Sequence, residues 1–257
     1  MTPKQKLVAF KTILIKEVLR FSRIWVQTIV PPVVTTSLYF VIFGSLIGPR
    51  IGDMGGFRYM DYIVPGLIMM AVITNSYANV VSSFYGSKFH HHIEEMLVSP
   101  LPNYIIVMGF TAGGIARGMS VGMAVTLVSM AFSDLQVHDL TVLVTIVILT
   151  STLFSLAGLI NGVFARSFDD ISIVPTFVLT PLTYLGGVFY TIQMLPAFWQ
   201  KVSMANPILY MVDTFRFGFL GVSDIPVALS YLIVGGFILT LYLYALYLMN
   251  VGYGIRK

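Results

Sequence analysis

His90, His91 and His92 stand beside Glu94 and Glu95, side-chain types that bind metals and carry protons. Consecutive residues do not share a helical face, so three adjacent imidazoles do not converge on one ion, and the run reads as interfacial polar residues. With no cysteine in the sequence there is no disulfide framework, thiolate zinc site, iron–sulfur cluster or cysteine nucleophile. Two uncharged polar sets repeat at steps of three or four, Asn75, Asn79, Ser82 and Ser83 in one apolar stretch and Ser172, Thr176, Thr180 and Thr183 in another. That spacing places each set along one helical face. Such faces either bond to neighbouring helices or line a path for solutes, and both readings stand.

The elements carrying these residues belong to a membrane. Hydrophobic residues make up 57% of the 257 and charged ones 10%, against roughly 25% charged in a soluble domain. Six stretches are long and apolar enough to cross a hydrocarbon core about 30 Å thick: Ile24 to Ile47, Tyr62 to Gly86, Ala112 to Phe132, Thr141 to Phe164, Ile171 to Tyr190 and Val227 to Leu248. The expected fold is all-α and integral to the membrane, with no room for a soluble catalytic domain. The net charge of +4 is too dilute for a nucleic-acid footprint.

Every Asp and Glu lies outside or at the edge of these stretches. Ion-coupled carriers commonly use buried acids as relays, so this placement argues against a secondary transporter. A hydrolase in the membrane needs a nucleophile with a base or a metal, and no His falls inside a span.

Lys and Arg fix the expected orientation. Lys4, Lys6, Lys11, Lys16, Arg20, Arg23, Lys88, Arg166, Arg256 and Lys257 fall on one side, and Arg50, Arg58, Lys201 and Arg216 on the other. The bias predicts both termini in the cytoplasm. The first apolar run begins only at Ile24, which predicts a retained segment rather than a cleavable leader. Ahead of it, Leu7, Phe10, Leu14, Val18 and Phe21 form an apolar stripe, and residues 1–23 read as an amphipathic interfacial helix. Gly114, Gly118 and Gly122, like Gly158 and Gly162, recur every four residues as close-packing signals. Arg117 is expected to snorkel from the third span to the cytoplasmic headgroups, with pairing to Glu94 or Glu95 as the alternative. Pro175 and Pro181 predict kinks in the fifth span.

Two stretches outside the spans carry more specific information. Ser87 to Pro102 reads as a short helix stopped by Pro100 and Pro102, with Ile93, Met96 and Leu97 on the bundle and Glu94 and Glu95 outward. Residues 191–226 are half apolar, broken at Pro196 and Pro207, and too short between breaks to cross. They read as two re-entrant or interfacial helices at the outer end.

At these stretches the sequence resembles the integral membrane components of ABC-2 type transporters, most closely the YadH-like subgroup of bacterial inner-membrane permeases. Leu195-Pro196, ten residues, Pro207-Ile208-Leu209-Tyr210, five residues and Arg216 reproduce that family's spacing, and the run Glu94 to Pro100 resembles its segment ending in Ser-Pro. The resemblance implies one transmembrane domain over 1–257, with 1–23 as a connecting helix, 24–190 as spans one to five, 191–226 as the extracytoplasmic re-entrant segment and 227–248 as span six. It also implies a bacterial inner-membrane subunit without catalysis of its own, paired as a homodimer, bound to two copies of a separate ATPase and exporting an amphiphilic, lipid-linked or drug-like substrate. Glu94, Glu95, Met96, Leu97, Ser99 and Pro100 would form the coupling helix. Asn75, Asn79, Ser82, Ser83, Thr176, Thr180 and Thr183 become the candidate path between protomers. No G-x-x-x-x-G-K-[ST] occurs in the chain, so ATP and Mg are expected in the partner ATPase. A membrane scaffold or passive channel without an ATPase is the competing expectation.

Overall fold

The computed structural model describes residues 1–254; Arg256 and Lys257, counted in the charge distribution, lie outside the described residues. Helix α1 (Pro3–Arg23) starts at a capping box in which the Thr2 hydroxyl accepts from the Gln5 amide and the Gln5 side chain accepts from the Thr2 amide. After a break at Ile24, α2 (Trp25–Tyr39) continues through a π-helical stretch, Phe40–Ile47, into α3 (Gly48–Ile51). A two-stranded ribbon, β1 (Asp53–Met54) and β2 (Phe57–Arg58), turns on Gly55 and Gly56 at φ 60° and 83°, where a Cβ would be strained. Then follow α4 (Tyr59–Phe89), α5 (His92–Val98), α6 (Asn103–Ser129) and α7 (Leu140–Phe164). Beyond them come α8 (Asp170–Val174), a π turn at Pro175–Leu179, α9 (Thr180–Tyr184), α10 (Ala197–Met204), α11 (Pro207–Leu220) and α12 (Val227–Val251).

Among the described residues, five helical runs are long and apolar enough to cross a membrane: Trp25–Ile51, Tyr59–Phe89, Asn103–Ser129, Leu140–Phe164 and Val227–Val251. The expected fifth crossing differs. Its helical part consists of three five-residue pieces, α8, the π turn and α9, about 22 Å in all at 1.5 Å per residue. Pro175 and Pro181 contribute no backbone donor, and the helix gives way to irregular chain after Tyr184, with Gly187 at φ 71°. The apolar run continues past this point because Val188 is fully buried against other elements, which periodicity does not distinguish from membrane burial.

Helix α4 is the axis of the bundle and is buried on nearly every face, with α6, α7 and α11 packed around it. Helices α2 and α12 stand at the perimeter and expose long apolar side chains such as Leu38, Leu232 and Leu243. The glycine spacing marks close approach: a Cβ on Gly158 would stand 2.6 Å from the Tyr77 carbonyl oxygen, and one on Gly122 2.8 Å from Val72. Larger residues there would push α7 and α6 off α4.

Helix α1 is rotated relative to the sequence reading. Leu7 is exposed and Leu14 and Val18 are only half-buried, while Ile13, Glu17 and Phe21 form its buried line against α6. Lipid tails solvate an apolar stripe as well as protein does, so the face holding the carboxylate is the one that gains by turning inward.

The connections gather at two ends. At one, Lys88 Nζ donates to the carbonyls of Val163 and Ala165 at 2.7 Å each, capping the end of α7, and Asn103 donates to Asn250 at 2.7 Å. At the other, Arg58 bridges Asp61 and Asp134, Ser133 donates to Asp61, and the His138 amide donates to the Gly218 carbonyl. Lys88 and Arg166 share one end, and Arg58 stands at the opposite one.

Candidate functional site

The polar face of α4 meets charged side chains inside the chain. Glu17 of α1 has no exposed surface; its carboxylate accepts 2.7 Å from the Ser83 hydroxyl and lies 3.4 Å from Arg20 and 3.7 Å from Lys16. Arg20 also donates to the Asn79 carbonyl at 2.9 Å and to its Oδ1 at 2.7 Å. A carboxylate at this depth persists because cations and a hydroxyl share it; removing one partner from such a network typically costs about 3–5 kcal/mol. Ser82 bonds to its own helix, donating to the Ala78 carbonyl at 2.7 Å.

Arg117 does not reach Glu94 or Glu95; its partner is on α4. Because α6 begins at Asn103 rather than at Ala112, Arg117 lies near mid-helix and donates to Asn75 Oδ1 at 3.1 Å. The Asn75 amide in turn donates to the Ala71 carbonyl. Among the described residues Arg117 makes no ion pair. It lines a groove of about 340 Å³ between α2 and α4 with Thr28, Thr36, Thr74, Asn75 and Leu67.

The second polar set stands apart. Thr176 and Thr180 are exposed on the α8–α9 segment beside Phe177 and Val178, and the Thr180 hydroxyl donates to the Pro175 carbonyl across the π turn at 2.9 Å. Thr183 is buried and donates to the Leu179 carbonyl at 2.7 Å. The groove that holds Asn75 includes none of these threonines.

At the end shared by Lys88 and Arg166, His91 adopts a left-handed conformation, φ 62°, and turns the chain from α4 into α5. Its ring stands 2.9 Å from Glu94, which occupies that histidine in an exposed pair. Helix α5 is rooted by Ile93, fully buried in one cluster with Phe84, Ile106 and Phe110, while Met96 and Leu97 pack at its edge. Glu95 is exposed and Val98 is 88% exposed. The helix ends at Ser99, whose hydroxyl turns back to the Met96 carbonyl, and Pro100 follows outside it.

At the opposite end the proline-spaced motif builds a cap. Pro196 and Pro207 open α10 and α11, where a missing N–H costs nothing. Asn206 caps α11 and also donates to the Leu182 carbonyl at 2.6 Å, and the Tyr210 hydroxyl donates to the Met204 carbonyl at 2.6 Å. Arg216 is buried; it donates to the carbonyls of Gly187 (2.7 Å) and Tyr62 (3.3 Å), lies 3.9 Å over the Tyr62 ring, and stands 3.9 Å from Asp213. Asp213 accepts from Ser223 and from the amides of Asp224 and Ile225, tying down the loop before α12. Leu195 leads into α10 from the short 3₁₀ turn.

Glu17, Arg20 and the Arg117–Asn75 contact are the parts that sequence reasoning missed. A signal existed for the first, since Glu17 lies four residues from both Ile13 and Phe21 and so falls on an apolar line of its own helix.

A buried polar axis, close-packed glycine helices, a short cross-helix at one end and a capped far end define an all-α integral membrane protein. The sequence profile of the ABC-2 type transporter family matches residues 8–220, and the chain belongs to that family of membrane transport subunits. It is 58% identical to the inner membrane transport permease YadH of Escherichia coli (strain K12) over 250 residues, 97% of this chain and 98% of the relative. Its identity to nodulation protein J of Neorhizobium galegae is 24% over 196 residues, 75% of each chain.

Proposed function

We propose that this chain is the permease subunit of an ATP-driven exporter of a bacterial inner membrane. Both termini face the cytoplasm, two copies pair, and separate ATPase subunits supply the energy. The YadH identity over nearly the full length of both chains carries the inner-membrane permease reading, and α5 supplies the coupling. Its exposed Glu95 and Val98 meet the ATPase, while buried Ile93 is the root through which a push travels.

Nucleotide-driven closure of the ATPases displaces α5 as a rigid body. Ile93 passes that displacement to Phe84 and Phe110, hence to α4 and α6, because packed side chains shift together rather than compress. Motion of α4 against α1 and α6 rearranges Asn75, Asn79 and Ser83 and alters access from either side. The exposed Thr176 and Thr180 line the path only where a second copy faces them. The α8–α9 segment crosses with its irregular continuation through Tyr190, making a sixth passage. Residues 191–226 close the outer end.

The test is a tagged pull-down in mild detergent with mass spectrometry and an ATPase assay of the co-eluting proteins. An ATP-binding subunit is expected. A clean permease dimer with no ATPase would return the chain to a scaffold or passive channel.

A further inference from the structure

The groove between α2 and α4 opens at the molecular surface: Gln27, Pro31, Thr35 and Thr74 are exposed at its mouth, while Thr28, Thr36 and Asn75 are buried in its floor. Leu67 and Met70 give it an aliphatic wall, with the Tyr39 ring beside them. Among the described residues Arg117 is the only charged one lining it, and no carboxylate pairs with it. The nearby Glu17 is already shared by Lys16 and Arg20, so the local balance is positive by two charges. The Arg117 Nε has no hydrogen-bond partner. Within a membrane, cations normally pair with acids or reach the interface. Here a guanidinium near mid-helix has no acid partner among the described residues, and it ends in a groove with room for a head group and an alkyl chain.

We propose that this groove binds an anionic amphiphile, its phosphate or carboxylate head on Arg117 and its tail along Leu67 and Met70. The planar guanidinium donates to two oxygens of such a head at once. This names a substrate class for the exporter reading and rests on it. An anionic lipid head group and an exported anionic amphiphile share the chemistry, and they are separable by experiment.

The full-length protein in neutral detergent, without nucleotide or ATPase, is titrated with radiolabelled monododecyl phosphate. Saturable binding is expected, about tenfold weaker in Arg117→Gln, with Arg117→Lys, which keeps the charge but not the fork, between the two. Thr74→Trp, which fills the mouth and leaves Arg117 in place, weakens binding comparably, so the inference survives a poorly folded Arg117→Gln. Dodecyltrimethylammonium competes weakly. Equal binding by wild type, Arg117→Gln and Thr74→Trp would overturn the site, and so would inorganic phosphate binding as tightly as the dodecyl ester. In nanodiscs, phosphatidylglycerol that abolishes the titration, where phosphatidylcholine does not, supports the site with resident lipid in it; binding that persists in both supports it with a separate anionic substrate. Because no ATPase is present, loss of the exporter reading leaves this measurement intact, and its failure leaves ATPase association untouched.

Discussion

Ser83 donates a 2.7 Å hydrogen bond to the carboxylate of Glu17, joining the amphipathic N-terminal helix to the central helix of the bundle through a side chain with no exposed surface. The pair converts α1 from a surface attachment into part of the core. Gln at position 17 retains the shape and an acceptor for Ser83 but leaves Lys16 and Arg20 without a counter-charge. Glu17→Gln is therefore expected to destabilise the protein by about 3 kcal/mol, read as a lower melting temperature in detergent. Ser83→Ala should cost about 1–2 kcal/mol. A Glu17→Leu, Arg20→Leu double variant more stable than either single variant would identify the charges as one unit.

Glycine positions supply a matched pair of tests. A methyl group on Gly158 meets the backbone of α4 at 2.6 Å, whereas one on Gly235 of α12 meets nothing within 4 Å. Gly158→Ala should cost about 1–3 kcal/mol through displaced helices. Gly235→Ala should be neutral or stabilising by up to about 1 kcal/mol, since alanine is the better helix former. Thermal unfolding of the two variants side by side gives the comparison.

These residues also show what the sequence revealed and what it hid. Length and hydropathy located the long crossings within a few residues, and the glycine spacing marked the helix contacts, because both depend on local pattern. The start of α6 was misplaced: the apolar run Ile105 to Phe110 belongs to the same helix but was left outside the span, which put Arg117 near the helix start rather than its middle. The fifth passage was drawn as a helix to Tyr190, since burial of Val188 under other elements leaves the same apolar signature as burial in lipid. The Glu17 network joins residues 66 apart in sequence, and no local pattern encodes which distant helix answers a carboxylate.

Arg216 holds the outer cap through two backbone carbonyls and the Tyr62 ring. A lysine keeps the charge but not the fork or the stacking. Arg216→Lys is expected to cost about 1–3 kcal/mol and to raise hydrogen exchange in 185–190 and 207–226 before the rest of the bundle. Uniform exchange across the chain would show that the arginine does not tie these segments together.

The absence of cysteine makes orientation directly measurable. Val98→Cys and Asp134→Cys each introduce one thiol, and both positions are exposed at opposite ends. A membrane-impermeant maleimide should label Asp134→Cys from the outside of the inner membrane and Val98→Cys only in inverted vesicles. The reverse pattern would place the termini outside and remove α5 from any cytoplasmic partner.

The most direct test of the proposed coupling is ATP hydrolysis by the co-purified complex with α5 altered. Glu95→Lys and Val98→Asp change exposed side chains and leave Ile93 in its cluster, so the bundle should elute and melt as wild type. The account predicts that both lose most of the associated ATPase activity, with recovery of the ATPase in the pull-down falling in step. Wild-type ATPase association and activity in both variants would contradict it.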